Sequence, residues 1–340
     1  MIPKDPLERF VELHAALVRR RKWYDSVMPL RYSAITVATT EGTAEELTEK
    51  IFSYAGSLKE SAGWFGPLNS SIRFSVASVL VQAGVRPESF SRRVEELRSV
   101  FREEKLPRGA IYEVLAVLVL DRSKEEGRRA NRSDVRRLAA IFRRLKEDRR
   151  WLTQADDFPA CALLVSTGDE PEEIGPRVKD AYSRLRKAGL PPGNPLQAAS
   201  HILYFCPVAT DRAVDRFLEL RRAFRALRLR VFQTEFDELA ILSFLDTDAD
   251  RLAQRVKTHR EVLRDRLRPR PDRGTALSLA ASTAFLEVLA EAQHRGRGQG
   301  RLALDAGTLM QVQSVLAAQQ TAAIAAVAAT SAGAAAASSS

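Results

Sequence analysis

Side chains able to do chemistry are few and scattered in this 340-residue chain. Of the four histidines, His14, His201, His259 and His294, none stands at metal-binding spacing from another. His201 falls in the mostly apolar run Ala198–Tyr204, where a core histidine is expected. Cys161 and Cys206 each fall inside an apolar helical pattern, where cysteine acts as a small hydrophobe. No histidine adjoins either thiol in sequence to activate it. Asp246-Thr247-Asp248-Ala249-Asp250 begins like a calcium loop. Arg251 and Lys257 then occupy the positions where such a loop needs glycine and glutamate. Asp248 or Asp250 is expected to cap a helix instead. Gly296-Arg297-Gly298-Gln299-Gly300 follows no strand pattern, so it reads as a basic linker rather than a dinucleotide fingerprint. The sequence holds no phosphate loop, nucleophile elbow or His-Glu-x-x-His motif. No metal and no cofactor is expected.

Trp151-Leu152-Thr153-Gln154-Ala155-Asp156-Asp157-Phe158-Pro159 is the most distinctive string. Thr153, Asp156 or Asp157 could cap the following helix, with Pro159 in its first turn. The alternative is an acidic site at Asp156 and Asp157, which would make the chain an enzyme of unknown class. An equivalent stretch, Gly66-Pro67-Leu68-Asn69-Ser70-Ser71, has no acid, so the fold is expected not to need one. Followed by Cys161-Ala162-Leu163-Leu164-Val165, the string resembles the signature of an uncharacterised bacterial family, domain of unknown function 4003. Gly63-Trp64-Phe65-Gly66-Pro67-Leu68 resembles that family's earlier motif. The resemblance spans residues 8 to 290 and implies a helical protein. It carries no activity, and the Ala/Ser tail is an addition to the family's pattern.

The elements that would position these residues are helices. Phe90, Val94, Leu97 and Phe101 recur at steps of 4, 3 and 4, and so do Ile174, Val178, Tyr182 and Leu185. Helices with one apolar stripe alternate with helices apolar nearly all round, such as Val114 to Leu120. Gly84 and Gly168 mark turns 84 residues apart, as do Pro107 and Pro191, so the pattern repeats. Thr43-Ala44-Glu45-Glu46 has the spacing of a capping box. The expected fold is all-α, a two-layer helical repeat array of 14–15 helices in units of four. An α-solenoid and an α/α-toroid-like ring both satisfy the pattern. One continuous domain, 1–305, divides into a partial repeat at 1–63 and units at 64–150, 151–231 and 232–305. Residues 306–340 carry no charge and read as a terminal helix with an Ala/Ser tail.

The hydrophobic fraction of 45% and mean hydropathy of -0.22 exclude wholesale disorder, and two cysteines exclude a disulfide scaffold. No targeting signal opens the chain, so a cytoplasmic setting is expected. The net charge of +10 is uneven. Residues 122–150, 212–230 and 251–273 carry +7, +5 and +6, which leaves the remainder at -8. The first two blocks hold the fourth helices of successive units. Side by side, these would form one basic band of Arg136, Arg137, Arg143, Arg144, Arg221, Arg222 and Arg225. The leading expectation is a non-enzymatic binding or scaffold protein with a macromolecular partner, a protein by preference. Nucleic acid on the arginine band is the alternative, and a membrane partner is not expected.

Overall fold

A computed structural model describes residues 3–61, 66–122, 129–148, 154–206 and 208–294. Trp64, Trp151, the Gly296–Gly300 linker and the expected terminal helix lie outside them. Among the described residues the chain is all-α, with fourteen α-helices and no strand. The odd-numbered helices are α1 (Pro6–Arg20), α3 (Ala44–Ser61), α5 (Pro87–Glu103), α7 (Arg132–Asp148), α9 (Pro171–Lys187), α11 (Thr210–Ala226) and α13 (Ala249–Arg266). The even-numbered helices are α2 (Val27–Val37), α4 (Arg73–Ala83), α6 (Ile111–Arg122), α8 (Phe158–Val165), α10 (Asn194–Tyr204), α12 (Phe236–Leu242) and α14 (Arg273–His294).

Local chemistry sets most of the ends. Asp5 accepts the Glu8 amide at 2.9 Å ahead of Pro6, and so starts α1. Thr43 and Glu46 exchange side-chain bonds of 2.7 and 3.2 Å, the capping box expected from their spacing. Asp248 accepts the Arg251 amide at 2.9 Å and caps α13. Gly84 ends α4 with φ +63°. One stop recurs at α5, α9 and α11. A residue in the left-handed region (Lys105, Gly189 or Arg228) is followed by a leucine. The amide of Leu106, Leu190 or Leu229 then bonds back to the carbonyl of Phe101, Leu185 or Phe224.

The odd helices bury one stripe each, as with Phe90, Val94, Leu97, Val100 and Phe101 on α5. The even helices are covered nearly all round, as in α4, where every residue from Arg73 to Val81 is buried. The order of packing follows this division. Each odd helix packs on the next, α1 on α3 through to α11 on α13, and α13 packs on α1. Each even helix likewise packs on the next, and α14 packs on α2. Ion pairs run along the odd series: Arg20–Glu49 at 3.7 Å, Arg137–Glu170 at 3.6 Å and Arg266–Glu8. Helix α14 contains the one described stretch long and apolar enough to cross a membrane, and 72% of that stretch is buried in the protein.

Candidate functional site

The connections leading from odd to even helices touch one another in turn. The Ser26 amide donates to Ser71 Oγ at 3.2 Å, and Arg73 reaches Asp25 at 2.9 Å. A Cβ on Gly109 would lie 3.1 Å from the Ala155 Cβ. Asn194 donates to Asp156 at 3.3 Å, and Arg31 donates to the Pro269 carbonyl at 2.5 Å. The N-terminal ends of the even helices therefore gather at one end of the molecule, and the buried Asp25, Arg31, Arg73, Glu235 and Glu238 lie there.

Asp156 and Asp157 take different roles. Asp157 Oδ2 accepts the Gln154 amide at 3.1 Å, closing the 3-10 turn that leads into α8. It also accepts from Gln197 at 3.2 Å, and its Oδ1 lies 3.9 Å from Nδ1 of the buried His201. Glu235 does the same capping for the Phe232 amide ahead of α12, so an acid is built into this turn at two places. The equivalent 3-10 turn at Pro67–Asn69 forms with no acid, so the turn itself does not require one. Asp156 faces Asn194 and Tyr112 instead. Burial holds its carboxyl above the usual range, and burial together with the Asp156 charge pushes the Tyr112 hydroxyl up.

A second group escaped the sequence reading. Tyr32, Glu238, Ser278, Arg31 and Asp272 lie together at the starts of α2, α12 and α14. Ser278 donates to Glu238 at 2.5 Å. Burial, and then the Glu238 charge, raises the Tyr32 hydroxyl. Burial lowers the Arg31 guanidinium, with Asp272 opposing. Beside them, Asp237 is partly covered and its buried Oδ1 has no hydrogen-bond partner. Burial holds the Asp237 carboxyl well above the usual range, and the charge of Glu238 adds to the effect. The available signal was Asp237-Glu238 inside the otherwise apolar Phe236–Leu242, where a charge interrupts a fully buried pattern.

Such a carboxyl favours the fold when protonated and opposes it when charged. Its effect is absent below the ordinary aspartate pKa of about 3.9. It grows as pH rises toward the folded value and persists above it. Asp237→Asn is therefore expected to melt higher than wild type, by a margin that widens as pH rises above about 4 toward neutrality. Thermal melts of both proteins across that range check this. A margin that is flat, or that shrinks with pH, would refute it.

The other sequence candidates separate. His14 is buried and held down to about 4 by burial, with Arg31 adding to the effect, so it is a neutral core residue. His259 Nδ1 shares a hydrogen bond with Thr283 at 2.9 Å and its Nε2 lies 2.7 Å from Glu287, joining α13 to α14. Cys161 and Cys206 are buried with thiols pushed up, a setting that disfavours the thiolate. Cys206 lies just past α10 rather than inside a helix. Among the described residues, no group of three or more His, Cys, Asp or Glu could hold a metal ion.

The arginines do not form one band. Helix α9 packs on both α7 and α11 and stands between them. Arg136 and Arg143 pair with Glu104 at 3.8 and 2.7 Å, Arg137 with Glu170, and Arg144 with Glu147 at 3.4 Å. Arg222 lines a cavity of about 600 Å³ with Asp246, Asp248 and Asp250. Arg221 and Arg225 line a different depression with Arg228 and Arg230. Much of the remaining charge suits the helix macrodipole: Glu45 and Glu46 open α3, Glu172 and Glu173 open α9, while Arg184, Arg186 and Lys187 close α9.

A family model described as "Protein of unknown function (DUF4003)" matches residues 16–321, further along the chain than the 8–290 expected from the motifs. An uncharacterized protein, YeaA of Bacillus subtilis (strain 168), is 22% identical over 253 residues. That match covers 70% of this chain and 72% of the relative. No solved structure matches. With the two motifs at Gly63–Leu68 and Trp151–Pro159 inside the matched span, the chain belongs to the DUF4003 family of proteins of unknown function.

Proposed function

We propose that this chain is a non-enzymatic binding protein, a two-layer helical ring of the α/α-toroid type. The odd helices form its outer layer and the even helices its inner one. In this reading it recognises an acidic protein surface and acts in the cytoplasm. The packing of α13 on α1 and of α14 on α2 supports the ring over an open solenoid. The single observation that carries the partner is the α1–α2 connection. Trp23 is 91% exposed and Tyr24 53% exposed, and their rings meet edge-on at 5.6 Å. Arg19, Arg20, Arg21 and Lys22 precede them, and Lys22 lies over the Tyr24 ring. Exposed Trp, Tyr and Arg are the side chains that dominate interface energies. Arg19 and Arg20 pair with Glu45 and Glu49, so Arg21 and Lys22 supply the charge that favours an acidic partner and speeds encounter with it.

A photo-crosslinking side chain at position 24, in the native host, would capture the partner. The purified pair is then titrated. Trp23→Ala is expected to weaken binding by at least about 2 kcal/mol, roughly 30-fold. Trp23 touches no core, so its thermal midpoint should match wild type. A captured protein that binds the Trp23→Ala variant as tightly as wild type would refute the reading. So would crosslinking to nucleic acid in place of protein.

A further inference from the structure

The end of α11 gathers arginines that pair with no acid among the described residues. Late in α1 and α13 a basic side chain meets an acid at the start of the neighbouring odd helix, Arg19 with Glu45, Arg20 with Glu49 and Arg266 with Glu8. Late in α5 the order reverses, with Glu103 on Arg132 of α7. Where α9 ends, Arg184 pairs with Asp180 at 2.8 Å and Arg186 donates to the Leu190 carbonyl. Arg221, Arg225, Arg228 and Arg230 line a depression of about 330 Å³, together with Leu229 and Val231, and no acid lines it. No ion pair or side-chain hydrogen bond is formed by any of the four guanidiniums among the described residues. The acids nearest in sequence are engaged elsewhere. Glu219 pairs with Arg212 at 4.0 Å, and Glu235 caps the Phe232 amide.

The backbone holds the four in place. Buried Leu229 anchors the chain between Arg228 and Arg230, and its amide bonds the Phe224 carbonyl at 2.9 Å. Arg228 adopts φ +57°, a conformation in which the matching stop on α9 uses Gly189. The Arg230 guanidinium lies 4.8 Å over the Phe232 ring. Arg221 and Arg225, four apart on one face, repel one another and gain no acid in return. The helix dipole accounts for a basic side chain at this end. It does not account for four converging on one hollow, one of them in a left-handed position.

We propose that Arg221, Arg225, Arg228 and Arg230 form a binding site for a small phosphate-rich anion of the di- or triphosphate class. Guanidinium forks match phosphate oxygens two at a time, so four of them suit a chain of linked phosphates better than a single carboxylate. The site stands apart from the Trp23–Tyr24 surface and does not depend on it.

The probe is inorganic tripolyphosphate, titrated calorimetrically into the full chain at low salt, with a matched chloride control. Wild type is expected to bind, less tightly as salt rises. Arg228→Gly is expected to lose about tenfold in affinity. Its thermal midpoint should equal or exceed that of wild type, because glycine suits the left-handed backbone. Arg221→Gln is a second variant with the same expected loss. The proposal is overturned if tripolyphosphate does not bind, or if wild type and both variants bind it equally. Duplex DNA that binds through these arginines when tripolyphosphate does not would overturn it as well.

Discussion

Asp25→Ala is expected to destabilise the protein by about 3–5 kcal/mol, read from urea unfolding at neutral pH. The two side chains of the Asp25–Arg73 pair are 2% and 10% exposed, with 2.9 Å between them. Asp25 also accepts the Lys22 amide at 3.1 Å. Arg73 donates to the Asn69 and Ser70 carbonyls at 3.2 and 3.1 Å and lies 4.6 Å over the Phe74 ring. Removing the carboxylate leaves a buried guanidinium with carbonyl partners alone, and that uncompensated charge is the source of the loss. Taking the charge away as well, as Asp25→Ala with Arg73→Met, is expected to recover much of the stability. A single variant within about 1 kcal/mol of wild type, the range of exposed pairs, would show that water reaches this pair.

Phe158→Ala is expected to cost about 3–5 kcal/mol. Phe158 opens α8 with no exposure, and its ring lies 5.4 Å from Phe101 and 5.2 Å from Phe142. It joins α5, α7 and α8. Gly109 is fitted to the same ring: a Cβ there would lie 3.0 Å from Phe158 Cε2. Gly109→Ala should therefore be costly in wild type and cheaper in the Phe158→Ala background, a coupling that a double-mutant cycle measures. Additive losses would place the two residues out of contact.

The helices were legible because apolar spacing and chain stops are local. Gly84 and Gly168 mark ends through a left-handed φ that favours glycine, and the Thr43–Glu46 spacing carries its own bonding pattern. The arginine band was misjudged for a different reason. The repeat pattern matches α7 with α11, yet packing joins neighbours in the chain, and α9 comes between. Sequence equivalence does not imply contact. At the candidate site, Asp157 was expected to cap α8, whereas its side chain caps the 3-10 turn before it and makes no capping bond at the start of α8. Arg31, Tyr32 and Glu238 were hidden because each sits in a run whose average is apolar. Their meeting depends on helices more than 200 residues apart in sequence.

Arg266 and Glu8 are 258 residues apart in sequence, and they meet because α13 comes back to α1. An open stack of repeats needs polar caps at its two ends. Here α1 and α13 bury apolar stripes like the helices between them, and each borders the other. During synthesis, every intermediate lacking α13 and α14 keeps two apolar flanks open, one on the first hairpin and one on the last completed. Closing them costs the entropy of a very long loop, which is recovered once the final hairpin docks. Docking of α13 and α14 is therefore expected to be the late step that covers both flanks at once.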